Sequence, residues 1–125
     1  KSLATGRSSI AMGEGVNVRS DNSIAIGRGA MVTANASDAL ALGAEASVEA
    51  GAIGSVALGH GAVADRGNSI SIGGGSVGAR QIIHVAAGTE LDDAVNVAQL
   101  KEAVAAMMAE IQQLRSQLAA RPAAH

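Results

Sequence analysis

A five-residue pattern that recurs five times in the first 73 residues constrains the fold more than any other feature of the chain. Residues 23–27 read Ser-Ile-Ala-Ile-Gly, and four near-copies precede or follow them. The copies end in glycines that are 14, 16, 16 and 14 residues apart: Gly13, Gly27, Gly43, Gly59 and Gly73. Repeats of this length predict a solenoid, in which each copy belongs to one rung of a stack.

Within each copy, small or polar residues alternate with aliphatic ones, which is typical of a short strand with one buried face. We expect the aliphatic side chains, such as Ile24 and Ile26, to point into the core and the intervening alanines, such as Ala25, to face outward. The glycine then forms a corner with positive φ, and a second, shorter strand follows it. Residues that tolerate the left-handed conformation stand where the second corner is expected, namely Asn22, Asp38 and Asn68.

The composition indicates that such a stack needs neighbours. The chain has no Phe, Trp or Tyr, although 48% of its residues are hydrophobic, so each rung encloses too little apolar volume to be stable alone. We therefore predict a homo-oligomer in which the alanine-rich faces of neighbouring chains pack together. The net charge of −2 gives no basic surface for nucleic acid or anionic lipid, and no run approaches the roughly 20 apolar residues of a membrane span.

The repeat ends near Gly73, and a different pattern follows. Residues 80–85 read as one more strand, and after a turn the apolar residues are spaced three and four apart, which predicts an α-helical coiled coil. We expect the helix to start at Asp92 and Asp93 and to end at about Ala120, before Pro122, with a length of roughly 40 Å. The predicted seam consists of Val97, Leu100, Val104, Met107, Ile111, Leu114 and Leu118.

The heptad register also predicts how the helices associate. Glu110 occupies a g position and Arg115 the e position of the next heptad, which is the interchain salt bridge of a parallel coiled coil. The β-branched residues at three a positions, with Leu or Met at d, slightly favour two strands over three.

Four short motifs after the repeats, together with the repeats themselves, resemble the head repeats and neck of YadA-like trimeric autotransporter adhesins. The motifs are Ser-Val-Gly at 76–78, Arg-Gln-Ile at 80–82, Val-Ala-Ala-Gly-Thr at 85–89 and Asp-Ala-Val-Asn-Val-Ala-Gln-Leu at 93–100. The resemblance implies an all-β solenoid head, a left-handed parallel β-roll that is trimeric, followed by a neck and a parallel trimeric coiled coil. It places the head at residues 1–77, the neck at 78–100 and the start of the stalk at 101–125, and it overrides the preference of the heptads for two strands.

The resemblance also implies a function. Such heads stand on the bacterial cell surface and attach to host extracellular matrix or cell surfaces, so the expected partners are two further copies of the chain and collagen, fibronectin, laminin or host cell-surface glycans. We expect the domain that anchors the protein in the outer membrane to lie outside this sequence. In some members an Asn-Ser-Val-Ala-Ile-Gly-x-x-Ser motif is linked to collagen binding, and two segments here match it in part. They contain the candidate ligand-binding residues Asn22, Ser23, Asn68, Ser69, Ser71 and Ser76.

The same residues have a structural interpretation, since aliphatic residues form rungs and asparagines form corners. By the resemblance, neck and trimer contacts are assigned to Arg80, Gln81, Asp93, Asn96 and Gln99. If the neck turns His84 toward a three-fold axis, three imidazoles could bind a metal ion or respond to pH.

Two other classes of protein remain open from the sequence. One is a structural spacer or fibre segment that has no ligand of its own. The other is a left-handed β-helix acyltransferase, but its rungs follow a hexapeptide period, and steps of 14 and 16 are not multiples of six. The sequence holds no catalytic constellation and no cofactor motif in a suitable context, so we expect a protein that is not an enzyme and needs no cofactor.

Overall fold

A computed structural model describes residues 1–122, which form two compact units, Lys1–Gln81 and Ile82 onward. The last three residues of the predicted stalk, 123–125, lie outside the described residues. The first unit is a solenoid built from two five-stranded parallel sheets, and successive rungs add one strand to each sheet. The solenoid that the repeat predicts is thus confirmed, and the division into head, neck and stalk stays a prediction.

The two sheets differ in strand length, and we name them accordingly. The pentapeptide sheet contains the recurring motif, in strands β2 (Ile10–Met12), β4 (Ile24–Ile26), β6 (Leu40–Leu42), β8 (Val56–Leu58) and β10 (Ile70–Ser71). The short-strand sheet contains β1 (Leu3–Ala4), β3 (Asn17–Val18), β5 (Met31–Val32), β7 (Ser47–Val48) and β9 (Val63–Ala64). Equivalent residues of successive rungs pair directly, so each position of the repeat becomes a column along the stack.

The interior of the solenoid is lined by the alanines, which reverses the predicted faces. Ala25, Ala41 and Ala57 are 0% exposed, whereas Leu42 and Leu58 are 38% and 42% exposed. Each rung is only two short strands joined by tight corners, so the space between the sheets accepts a methyl group from one side and a valine from the other. The prediction that the aliphatic residues of the motif point inward is therefore wrong, as is the prediction that alanine faces pack between chains.

Both predicted corners are present. Four motif glycines, from Gly13 to Gly59, have φ between 109° and 136°. A Cβ atom on Gly43 would lie only 2.5 Å from the carbonyl carbon of Gly59 in the next rung, so this column has no room for a side chain. At the second corner Asn22, Asp38 and Asn68 adopt φ of 54°, 59° and 52°, as expected for residues that tolerate the left-handed region.

The second unit differs from its prediction at two points. Residues 80–85 form no strand, because no further rung is available to pair with them and because His84 has a φ of 60° that interrupts an extended backbone. Helix α1 spans Val97–Ala119, about 35 Å at 1.5 Å per residue. It begins after Asn96, rather than at Asp92 and Asp93, since the side chain of Asn96 caps its first turn.

Candidate functional site

The outward side of the pentapeptide sheet is a continuous apolar surface, which we call the association face. Its side chains form two columns across the rungs, and single residues reach 48% exposure at Ile10 and 71% at Ile70. A contiguous apolar patch on a soluble chain marks a site of association. One column contains Ile10, Ile24, Leu40, Val56 and Ile70, and the other Met12, Ile26, Leu42 and Leu58.

Helix α1 presents a second uncovered apolar surface. None of its residues is buried, and the seven residues of the predicted seam are all exposed in the single chain, from 42% at Ile111 to 67% at Val97. A helix gains most of its stability from packing an apolar face, so α1 requires partner helices. The interchain salt bridge between Glu110 and Arg115 stays a prediction.

The outward side of the short-strand sheet has a different character, and we call it the open face. Its central column mixes uncharged polar and apolar side chains, and charged residues such as Arg19 and Glu49 lie at its margin. The central column contains Leu3, Asn17, Met31, Ser47 and Val63. This composition is compatible with exposure to water and with a polar ligand.

The longer turns of the two 16-residue rungs make the surface beside the open face uneven. The turns stack on each other, because the backbone N–H of Gly51 donates to the carbonyl of Asn35 at 2.9 Å. An open notch of about 400 Å³ lies on one side of them, lined by Arg19, Asp21 and Ile53 among others. A second, of about 470 Å³, lies at the last rung, lined by Asp65, Arg66, Ser69, Ile70 and Ser71.

The glycine corners contain a small chain of charges. The carboxylate of Glu45 lies 2.9 Å from the guanidinium of Arg28 in the preceding rung and 3.8 Å from the Nε2 atom of His60 in the following one. All three side chains are more than half exposed, so the pairs contribute little to stability.

In the first candidate ligand motif, the side chains of Asn22 and Ser23 make hydrogen bonds that stabilise their corner. Ser23 is 0% exposed, and its hydroxyl donates to the carbonyl of Asp21 at 2.9 Å and accepts from the N–H of Ala39 at 3.2 Å. It leaves no surface for a direct ligand contact. Asn22 is exposed, and its side-chain amide donates to the carboxylate of Asp38 at 3.2 Å.

The second candidate motif lies on the last rung, three rungs away from the first. Asn68 is exposed at its corner, the hydroxyl of Ser69 donates to the carbonyl of Arg66 at 2.8 Å, and that of Ser71 donates to the carbonyl of Gly73 at 2.9 Å. Ser76 is exposed within a single 3₁₀ turn, Gly75–Val77. The structure therefore does not bring the candidate residues together in one pocket.

Two of the residues assigned to the neck form a structural unit that sequence reasoning missed. Asn96 and Gln99 form a capping box, in which each side chain accepts from the backbone N–H of the other. The Gln99 side chain also makes two hydrogen bonds of 2.9 Å to the backbone of Gly88, and the Asn96 amide donates to the carbonyl of Val85 at 3.0 Å. The signal, Asn-x-x-Gln ahead of the heptads, is present in the sequence.

Asp93 closes a turn ahead of the helix. Its carboxylate accepts from the backbone N–H groups of Glu90 at 3.0 Å and Thr89 at 2.9 Å. These hydrogen bonds, that from Glu90 first, lower the pKa of the Asp93 carboxyl below its ordinary value. Gln81 is exposed.

The described residues offer no site for metal chemistry within one chain. Between residues 1 and 122, no three His, Asp or Glu side chains come together in a way that could hold a metal ion. His84 is exposed, and its clustering around a three-fold axis stays a prediction. No helix in the same range has the length and apolarity to span a membrane.

Two family models match the chain. The model described as the YadA head domain repeat matches twice, at residues 4–30 and 50–76, and the model described as the coiled stalk of trimeric autotransporter adhesin matches residues 81–122. The stretch between the two head matches contains the longer turn of residues 34–38.

A solved structure supports the same relationship. The collagen-binding domain of the Yersinia adhesin YadA is similar to this chain with a TM-score of 0.60 and 35% sequence identity, over 82% of this chain and 70% of that one. No curated protein gives a significant match.

Proposed function

The chain belongs to the YadA-like trimeric autotransporter adhesins, and on that premise we propose that it is the head, neck and first part of the stalk of a non-catalytic bacterial adhesin. We propose that the head is exposed on the cell surface and that the full-length protein is anchored in the outer membrane. The association face is the observation that carries this proposal, because nothing in the chain's own described residues covers it.

We propose that three copies pack their association faces together to form a homotrimer. Burial of a Val, Leu, Ile or Met side chain contributes about 1.5–3 kcal/mol, and each chain brings nine such residues in two columns. The heptad seam continues the association as a parallel three-stranded coiled coil. In this arrangement the alanine interior holds each roll together, and the aliphatic columns hold the rolls to each other.

Trimerisation in this form leaves the open face as the surface for a ligand. Its central column is uncharged and runs across five strands, which suits an extended partner better than a compact one. Because the similar Yersinia domain is described as collagen-binding, we propose collagen as the first ligand. Fibronectin, laminin and cell-surface glycans are the further candidates. Three copies on one rod would raise a weak affinity by avidity.

A substitution on the open face tests this proposal. Ser47→Arg places a long cation in the middle of the open face, and we expect at least a ten-fold loss of binding to an immobilised collagen triple helix. Ala109→Arg makes the same change in charge on an exposed position of α1 outside the seam, and it should bind like the wild type. Both variants must remain trimers by sedimentation.

The result also separates the adhesin from the spacer. Equal binding by the wild type and both variants would place the ligand elsewhere, with the exposed corner residues Asn22, Asn68 and Ser76 as the next candidates. Intact trimers that bind neither collagen nor the other matrix proteins nor glycans would favour a structural spacer. The acyltransferase alternative is not favoured by the family to which the chain belongs.

A further inference from the structure

The last rung of the solenoid differs from the others because no further rung follows it to donate hydrogen bonds to its carbonyl groups. At the glycine corner, each rung accepts hydrogen bonds from the next: the N–H of Gly29 donates to the carbonyl of Glu14, that of Glu45 to Arg28, and Gly61 to Ala44. The equivalent carbonyl of the last complete corner belongs to His60, and the repeat ends before another corner can supply an N–H. An uncapped strand edge of this kind is open to pairing with another chain.

The side chain of Arg80 supplies the missing donors. Its Nη2 atom donates to the carbonyl of His60 at 2.5 Å, and its Nη1 atom donates to the carbonyl of Ile72 at 2.6 Å. Charge-assisted hydrogen bonds of this kind are stronger than bonds between neutral groups. One guanidinium therefore bonds two carbonyls at the end of the stack.

The position of the guanidinium in the glycine column agrees with these hydrogen bonds. In the glycine column, the space beside Gly27 is filled by Gly43 of the next rung, and the space beside Gly43 is filled by Gly59. Beside Gly59 the place of the next glycine is taken by Arg80, whose Nη1 would lie 3.2 Å from a Cβ on Gly59. The side chain thus occupies the site where a further corner would stand.

The segment before Arg80 contacts the last strand of the short-strand sheet. The carbonyl of Gly73 accepts from the N–H of Val63 at 2.8 Å, in place of the next short strand. The side chain of Val77 packs so close to Gly61 that a Cβ there would lie 2.6 Å from Cγ1 of Val77. Residues 73–80 therefore contact the last glycine corner and the last strand of the short-strand sheet.

We infer that residues 73–80 are an end cap of the solenoid within a single chain, and that Arg80 is its anchor. The cap takes the place of the next rung at the glycine corner and at the short-strand sheet, and it fixes the last corner. This role differs from the neck and trimer contact that the family resemblance implies for Arg80, and it does not depend on the ligand.

Hydrogen exchange measured on the intact chain tests the cap. In Arg80→Gln we expect the amides of Gly59, Gly61 and Val63 to exchange about ten-fold faster, the loss that follows removal of a charge-assisted hydrogen bond. The amides of Gly27 and Gly43, in earlier rungs, should exchange as in the wild type. The amide exchange rates of Arg80→Lys should be close to those of Arg80→Gln, because one ammonium group cannot reproduce the planar guanidinium that bonds two carbonyls.

The matched control is Arg66→Gln, which removes an exposed arginine of the same solenoid whose side chain donates no hydrogen bond in the described part of the chain. It should leave the exchange pattern unchanged. The proposal would be overturned if the amides of residues 59–63 in Arg80→Gln exchanged at the wild-type rate. It would also be overturned if amide exchange became faster to the same extent in all rungs. Loss of trimer mass with unchanged local exchange would instead make Arg80 a contact between chains. If Arg80→Gln does not fold, the same comparison is made with Arg80→Lys.

Discussion

The solenoid contains a continuous buried column of alanine and valine, whereas helix α1 buries none of its side chains. In the solenoid the hydrogen bonds between strands are made within one chain, and the apolar surface that remains outside is the association face. In helix α1 the backbone hydrogen bonds are also made within one chain, but its apolar side chains, most of the large ones on the seam, are all left unburied. The head can therefore keep its rung structure without partners to a degree that the stalk cannot.

A substitution in the glycine column should destabilise the head more than any other single change. Gly43→Ala places a Cβ 2.5 Å from the carbonyl carbon of Gly59 in a backbone with φ of 136°. We expect a loss of about 3–5 kcal/mol in the free energy of unfolding of the head, measured by chemical denaturation.

Gly15→Ala is the control for Gly43→Ala. Gly15 also has positive φ, at 68°, but nothing lies within 4 Å of its missing Cβ. It should cost only about 1 kcal/mol of conformational strain. Equal losses in the two variants would show that strain, rather than the contact between rungs, limits this corner.

Two adjacent residues separate folding from assembly. Ala41 lies inside the solenoid and Leu42 lies on the association face. Ala41→Leu should destabilise the roll by about 1–3 kcal/mol through overpacking, while Leu42→Asp should leave the rungs folded and reduce the sedimenting species from trimer to monomer. A monomer from Ala41→Leu with unchanged stability would restore the original assignment of the faces.

The helix has its own sensitive point at the capping box. Asn96→Ala removes the acceptor for the N–H of Gln99 and the donor to the carbonyl of Val85. We expect a loss of about 0.5–2 kcal/mol, seen as a lower melting temperature of the helical circular-dichroism signal. Asn17→Ala, on the open face, should leave that signal unchanged, and a matching decrease there would contradict a local role for Asn96.

The smallest effect concerns Asp93. Since its pKa in the folded chain is lowered, the stabilisation by the charged carboxylate is present above the unfolded pKa of about 3.9 and is lost as the pH falls through the folded pKa. The amide NMR shifts of Thr89 and Glu90 should therefore move only below about pH 4. In Asp93→Asn the same amide shifts should not move below about pH 4. A transition of these shifts between pH 5 and 8 in the wild type would contradict their assignment to the Asp93 carboxyl.

The sequence predicts the stack and its corners because both depend on local signals, the spacing of the glycines and the residues that tolerate positive φ. The inside of the rung could not be read in the same way. Alternation shows that Ala41 and Leu42 face opposite sides, but which side is inside depends on the width between the sheets, which is a property of the closed rung.

The segments after the repeat show a related limit. Residues 80–85 have the composition of a strand, yet a strand needs a partner in register, and the stack has already ended there. The acidic residues Asp92 and Asp93 predict a helix start at their own position. The helix begins after Asn96 instead, because the side chains of Asn96 and Gln99 each accept a hydrogen bond from the other's backbone N–H. The candidate ligand residues follow from a resemblance between motifs, and a motif carries no information on the packing that buries Ser23.

The narrow interior has a consequence for how this chain can vary. Across the rungs the inward position of the motif is Ala, Ala, Ala, Ala and Ser, while one outward column runs through Met, Ile, Leu and Leu. Large apolar residues can therefore replace one another on the outside of the fold, whereas a larger side chain does not fit at the inward position. To change the stability of the trimer, one would therefore substitute residues of the association face, which are surface residues in a single chain, and leave the inward alanines unchanged.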